Sequence, residues 1–442
     1  MEDRTIVFAV GRLIDGRSPE PRPDVSVVVR GSRIIEVRPT EALDIPEASD
    51  CLRVDLTDRV LLPGLIDSHV HLWGELTLDH FHNIGVPKEV KILRAARDLE
   101  SLIKAGFTSV RDCGSKFAVH LRTAVEEGTL LGPRIVTPYC WLSHTSGHGD
   151  LTFLPPEWAD VVSIKSRIVD GVDQCRKACR EHFRIGADFL KVVTSGGIMS
   201  EIVSAKEAQF TLDEVRTVVE EADRVGTFVA SHAGGNAGVR LALEAGVKTI
   251  EHGYFLDDPE VFELMLEKRI VYVPTLCVSK KLAQGAAYGV GSIAVRKAQE
   301  TLGPHSRAFQ LARCAGIPIA MGTDFVGGPL LPHGENAQEL ENLVEGGMTP
   351  MQAIMAATRV ASMALGLPDE IGTIQEGKSA DLLVVDDDPL GNISVLTKKN
   401  HIRMVVKEGQ VLVDKDGKAG APCEIRSPFT VSAAASAPAG AR

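Results

Sequence analysis

Four histidines and one aspartate close short apolar runs in this chain: His69 and His71 in "DSHVHL", His232 in "VASHAGG", His252 in "TIEHG" and Asp324 in "MGTDF". In an extended segment, residues two apart point to the same side, so His69 and His71 face one space. Imidazole nitrogens and a carboxylate suit zinc and its divalent neighbours, and a mixed His/Asp set with room for water is a catalytic rather than a structural site. Each residue alone also has a structural use, as a hydrogen-bonded core histidine or, for Asp324, a helix N-cap or turn residue. Their shared position at the ends of apolar runs is what groups them.

A sixth residue joins the set. "ADFLKVVTSGG" (187–197) places Lys191 among Phe189, Leu190, Val192 and Val193. An apolar run of this length, bounded by turn residues, suits a parallel strand covered on both faces. A lysine there either meets water at one edge or, if buried, must lose its charge, find a partner or be modified. A neutral lysine amine can add carbon dioxide. The resulting carbamate offers two anionic oxygens able to bridge two metals, which removes the cost of a buried ammonium.

Such groups need a scaffold that brings distant segments to one place. Eight strand-like runs follow one another between residues 62 and 324: "LPGLIDSH", "TSVRDC", "RIVTPYCWLS", "ADFLKVVTS", "TFVASH", "TIEHG", "IVYVPTL" and "IPIAMGTD". Helical patterns such as "KEVKILRAARDLESLIKAG", "TLDEVRTVVEEADRVG" and "NAGVRLALEAG" lie between them, several stopped by glycine. The alternation predicts an α/β fold with a (β/α)8 TIM barrel, whose catalytic groups stand at the C-terminal ends of the strands. A doubly wound sheet is the runner-up, but no G-x-G-x-x-G follows an early strand and no P-loop motif occurs. Short β-like runs at both chain ends predict one small β-sandwich built from residues 1–60 and 366–425 around a catalytic barrel at 61–365. Residues 426–442, rich in Ala, Ser and Pro, read as a flexible tail.

Composition excludes other classes. With 48 Lys+Arg against 59 Asp+Glu in 442 residues the net charge is −11, which argues against nucleic acid and against an anionic membrane surface as partners. No stretch approaches the ~20 consecutive apolar residues that cross a bilayer. The acidic start "MEDRTIVFAV" lacks the basic region of a signal peptide, and the eight cysteines contain no C-x-x-C pair; a cytoplasmic protein with reduced thiols is expected. Cys175 and Cys179, four apart, read as packing residues on one helix face.

The combined motifs resemble those of the amidohydrolase superfamily, in its binuclear imidazolonepropionase-like or prolidase-like branch, with Xaa-Pro dipeptidase-type and ochratoxin-hydrolysing members. The segments carrying the resemblance are "LLPGLIDSHVHL", "SHTSGHGD", "DFLKVVTSGG", "SHAGGNAGVRLALEAGVKTIEHG", "MGTDF" and "GMTPMQAIMAATRVASMALGL" through "GTIQEGKSADLLVVDDDPL". They span nearly the whole chain except the tail.

The resemblance implies two divalent metal ions, zinc foremost. His69, His71 and Asp324 would hold one, His232 and His252 the other, and N6-carboxylated Lys191 would bridge them. His148, in "GHGD", matches a family position near the substrate carbonyl, with His144 as its weaker competitor. Gly196 and Gly197 suit close approach of a ligand, and His333, in "HGEN", is a further candidate substrate contact. The implied reaction is hydrolysis of an amide or peptide bond in a small molecule: a bridging hydroxide attacks the carbonyl, and Asp324 carries the proton to the leaving amine. Dipeptides, N-acyl amino acids or an ochratoxin-like aryl amide are the expected substrates, and a homo-oligomer the expected assembly. The alternative is a carbamate, thiocarbamate or phenylurea hydrolase. A mononuclear cyclic-amide hydrolase or deaminase fits less well, because it gives Lys191 no role and Gly235 stands where a deaminase has glutamate. A non-catalytic barrel would have lost ligands, and all six positions are filled.

Overall fold

Alternation of apolar residues sets the first strands. The structure, a computed structural model, describes residues 5–42, 51–200 and 202–420. The expected tail at 426–442 and the last residues of the C-terminal β segment, 421–425, lie outside the described residues. Strands β1 (Thr5–Leu13), β2 (Arg22–Arg30), β3 (Arg33–Pro39) and β4 (Cys51–Pro63) open the chain. Nine short strands follow: β5 (Leu65–Val70), β6 (Phe107–Asp112), β7 (Arg134–Val136), β8 (Trp141–Ser143), β9 (Ser166–Ile168), β10 (Leu190–Val193), β11 (Val229–Gly235), β12 (Thr249–Phe255) and β13 (Val271–Val273). Strands β14 (Leu382–Val385), β15 (Ile402–Lys407) and β16 (Gln410–Asp414) come last.

Both chain ends enter one seven-stranded sheet, in the order β16-β15-β14-β4-β1-β2-β3. Phe8 lies opposite Val27 of β2 and Val54 of β4, and Leu62 of β4 opposite Leu383 of β14. Period 2 then sorts the side chains. Phe8, Val27, Val54, Leu382, Val384 and Val406 share one core, made almost entirely by this sheet, so the sheet bends over its own apolar face. Each such side chain contributes roughly 1.5–3 kcal/mol on leaving water. Leu62, Leu383, Val385 and Val405 point the other way and join the larger core beneath the parallel strands.

Between the chain ends the fold is α/β with parallel pairing. One sheet runs β5-β6-β7; the other runs β13-β12-β11-β10-β8-β9. Helices cover them. Leu212–Arg224 starts in a capping box, Thr211 with Glu214, and buries Val215, Val218 and Ala222. Val172–Ile185 buries Cys175 and Cys179 in its packed face and ends at Gly186, whose φ is +107°.

Two of the eight expected strands take a different form. "RIVTPYCWLS" is two strands in two sheets: the chain breaks at Pro138 and at Tyr139, whose φ is +73°, and Trp141–Ser143 pairs with β9 and β10 instead. "IPIAMGTD" makes bridges rather than a regular strand, because Pro318 has no N–H to donate. Its carbonyl accepts from Tyr272 N (2.9 Å), Ala320 N donates to Tyr272 (2.9 Å), and Met321 accepts from Ser68 N (3.0 Å). The segment thus lies between β13 and β5, while Asp188 N donates to the Thr137 carbonyl (2.8 Å) and links β10 to the end of β7. Among the described residues no helix is long and apolar enough to cross a membrane.

Candidate active site

His69, Lys191, His232 and His252 on the strands, His71 just past β5, and Asp324 and His148 on connecting segments all reach the lining of one cavity. His69 and His71 leave β5 toward Asp324, with Nε2 to Oδ1 distances of 3.5 and 3.1 Å. Donor atoms of these three lie within 4.8 Å of one another. The His69 ring is 4.9 Å from that of His252, which is 4.5 Å from that of His232. Lys191 Nζ is buried and meets no hydrogen-bond partner.

Each of the four histidines ties one nitrogen to the protein and leaves the other for the cavity. His69 Nδ1 donates to Glu251 (2.8 Å) and His232 Nε2 to the Gly196 carbonyl (3.1 Å); His71 Nδ1 faces the Gly114 carbonyl (3.3 Å) and His252 Nδ1 the Thr275 hydroxyl (2.8 Å). Fixing the ring through its second nitrogen is how metal-binding histidines are oriented. Burial is the first cause that holds His69, His232 and His252 well below the ordinary imidazole pKa, with the positive charge of neighbouring groups adding to it. They are therefore neutral, the form that binds metals.

The backbone is bent to reach this arrangement. His252 and Asp324 both adopt left-handed φ, +73° and +59°, at a cost of about 1–2 kcal/mol each. Asp324 is pinned there by its amide, which donates to the His69 carbonyl at 2.6 Å. Gly322 makes that approach possible: a Cβ on it would stand 2.4 Å from Val273 and 2.9 Å from the His69 side chain.

Several residues that sequence reasoning missed hold the candidate ligands in place. Glu251 accepts from His69 with one oxygen and from Arg111 (2.7 Å) and Thr249 (2.5 Å) with the other. Arg111, fully buried, also donates to the carbonyls of Ser68 (2.6 Å) and Ala364 (3.0 Å). Asp67 accepts from the amides of His69 (3.0 Å) and Thr323 (3.1 Å) and from Asn336 (2.8 Å), locking β5 to the segment that carries Asp324. Burial raises its pKa to about 6. An arginine inside "TSVRDC" is the same signal as the lysine inside "ADFLKVVTS" and could have been read the same way.

His148 stands over His232, ring centroids 4.4 Å apart. Its Nδ1 is hydrogen-bonded to the Ser200 hydroxyl. Burial lowers its pKa to about 3, so the ring is neutral. The other four expected substrate contacts, Gly196, Gly197, His144 and His333, lie outside the cavity lining. Gly196 offers its carbonyl to His232. Gly197 is a seat for His148, since a Cβ on it would come within 2.4 Å of that ring. His144 turns away, its Nδ1 on the Thr145 carbonyl and its ring edge-on to Phe210. His333 is buried behind His71 and donates to its carbonyl at 3.1 Å. Trp73, Trp141, Phe153, Lys165, Glu75 and Ser200 take their places in the lining.

Comparison with known proteins shows the family. The family model described as "Amidohydrolase family" matches residues 60–412. Ochratoxinase of Aspergillus niger is 35% identical over 429 residues, covering 92% of this chain and 86% of its own length. The crystal structure of that ochratoxinase superposes with a TM-score of 0.85 at 33% identity, covering 97% of this chain and all of its own. A crystal structure of a Xaa-Pro dipeptidase with methionine in its active site gives 0.82 at 33% identity, covering 92% and 99%. Phenylurea hydrolase B, at 22% identity and a TM-score of 0.78 over 95% and 98%, is similar in fold. On a match that spans the parallel strands and every proposed ligand, this chain belongs to the amidohydrolase family, whose members are generally metal-dependent hydrolases.

Proposed function

We propose that this chain is a binuclear metal-dependent hydrolase of amide or peptide bonds, acting on dipeptides, N-acyl amino acids or an ochratoxin-like aryl amide. The observation that carries this reading is Lys191: its Nζ is buried, has no partner, and sits among four histidines and Asp324. An ammonium left so costs several kcal/mol. As a carbamate the same side chain is an anion with two donor oxygens, and the donor set becomes complete for two cations. His69, His71 and Asp324 would hold one, His232 and His252 the other, with carboxylated Lys191 between them. Nitrogen and carboxylate oxygen donors suit zinc.

The two ions, when bound, supply Lewis acidity and activate water near neutral pH. The side chains do the rest. Asp324 accepts a proton from the attacking water and returns it to the leaving amine. His148, with Nδ1 held by Ser200, presents Nε2–H to the carbonyl oxygen, where negative charge develops. Leu78, Ile198, Val278, Leu282 and Leu331 wall the cavity with apolar surface and limit competing water.

The same proposal includes a closed eight-stranded barrel over residues 61–365, carried beside a β domain from 1–60 and 366–425. Supporting it are the hydrogen bonds that run from β13 through residues 318–323 to β5, and from β7 to β10. It also includes a homo-oligomer, a role for exposed Phe81, Leu93, Trp158 and Val161, and a cytoplasmic location. Similarity to ochratoxinase and to the Xaa-Pro dipeptidase supports amide and peptide substrates. The carbamate or phenylurea alternative draws on a likeness of fold.

Metal analysis and a substrate panel test the reading. Purified protein is expected to carry close to two divalent ions per chain and to cleave N-acyl amino acids or dipeptides faster than carbamates or phenylureas. Full activity at one ion per chain, or the reverse substrate order, would overturn it.

A further inference from the structure

Charge does not balance around Glu75. Its side chain is 2% exposed, and it lies 3.0 Å from Lys165 Nζ and 3.7 Å from Lys91 Nζ. Among the described residues, Glu75 is the one carboxylate in ion-pair contact with either lysine. Arg94 adds to the positive field at Lys91, and its Nη1 is buried with no acceptor. Two ammonium groups thus face one carboxylate, and an anion that enters the cavity can meet the one that is partly exposed, Lys165. Of the two lysines, Lys165 is in the cavity lining; Lys91 is behind it.

Lys165 is held in a fixed place relative to the candidate metal ligands. Its Nζ sits 3.8 Å from the centre of the Trp73 ring, and its own carbonyl accepts from Trp141 N at 3.1 Å. Trp73 in turn stacks on His71 at 4.3 Å and donates its indole N–H to the Gly114 carbonyl at 2.6 Å. A rigid cation is thus set one aromatic ring away from His71. Leu78, Phe153 and Val278 add apolar surface to the lining of the same cavity.

We propose that Lys165, set by Glu75 and Trp73, is the subsite for a free carboxylate on the substrate, that of the amino acid released by hydrolysis. The inference rests on the amide-hydrolase reading and narrows it to substrates with an anionic, apolar amino-acid leaving group. A neutral, carboxamide-capped substrate would offer the cation no carboxylate beyond that of Glu75.

The test compares N-acetyl-L-phenylalanine with its carboxamide on the metal-loaded enzyme and on two variants. Wild type is expected to favour the free acid in kcat/KM by about 100-fold, the size of one charge-assisted contact. In Lys165→Met the ratio is expected to fall to about 1, whereas Lys165→Arg, which keeps the cation over Trp73, retains most of it. A wild type without preference, or an unchanged ratio in Lys165→Met, would overturn the subsite. If wild type cleaves neither compound, the hydrolase reading fails for this substrate class, and calorimetry with L-phenylalanine decides the subsite alone. Binding at least tenfold weaker in Lys165→Met then supports it, and equal binding refutes it.

Discussion

Arg111 and Glu251 form an ion pair of 2.7 Å in which neither side chain reaches solvent, and the second carboxylate oxygen accepts from His69 Nδ1. Glu251 thus answers a buried guanidinium and orients a candidate metal ligand at once. Glu251→Gln is expected to cost about 3–5 kcal/mol of stability, because it leaves Arg111 uncompensated. It should also weaken metal binding about 10- to 100-fold. Denaturant unfolding and chelator competition measure the two effects; unaltered metal affinity would mean that Glu251 serves Arg111 alone.

Gly197 and His148 are in close contact, and that contact can be tested without touching a candidate metal ligand. A Cβ at Gly197 would stand 2.4 Å from the His148 ring, which must then leave its seat over His232. Gly197→Ala is expected to lower kcat on the order of 100-fold, the loss seen when one oxyanion donor is misplaced. KM and metal content should change much less. A variant with normal kcat would remove His148 from the reaction.

Lys191→Met separates the two states of the lysine. With metal and carbon dioxide removed, the wild type carries an amine buried without a partner. Methionine fills the same space without a polar group, so the variant is expected to be about 1–3 kcal/mol more stable under those conditions. With metal and bicarbonate present the order should reverse, because only the wild type can build the bridge. Thermal unfolding of both proteins in both buffers decides; the same order in both would deny the carbamate.

Glu339 gives a pH signature away from the cavity. Its carboxylate accepts from the amides of Leu276 (2.7 Å) and Cys277 (2.6 Å), yet burial, the largest influence, raises its pKa from the ordinary 4.5 to about 8. A carboxyl raised on folding holds its proton longer in the native state. Stability from this group is therefore complete below about pH 4.5 and declines as pH rises toward about 8. Glu339→Gln is expected to flatten that decline between pH 5 and 8, read as the difference in unfolding free energy between the two proteins. Parallel pH curves would show that the amide hydrogen bonds, not burial, govern this carboxyl.

The candidate ligand positions were legible because the chain marks them locally: a histidine, lysine or aspartate stands at the end of an apolar run or inside it, where solvent would not be expected. His69, His252 and Asp324 stand at such ends, and Lys191 stands inside its run. Glu251 stood in plain view in "TIEHG", but its role depends on Arg111, 140 positions away. No local period reports such a partner. Lys165 and Trp73 are further from any pattern, since they meet from two irregular segments, one just before β9 and one just after β5. The misreading of "RIVTPYCWLS" has a local cause, a proline and a left-handed tyrosine within one apolar run. His144 and His148 differ by four residues and by one hydroxyl: Ser200 meets His148, while His144 finds its own neighbouring carbonyl.

The seven-stranded sheet also sets the order in which the chain can be completed during synthesis. β4 is made early, and one of its edges waits for β14, with Leu62 opposite Leu383. Until Leu382–Val385 have left the ribosome, the apolar end of β4, "VLLP", has an open edge able to pair with another nascent copy. Exposure of this edge to aggregation therefore lasts until β14 is made, and truncation before residue 382 should leave a chain dependent on chaperones however well its parallel strands are formed.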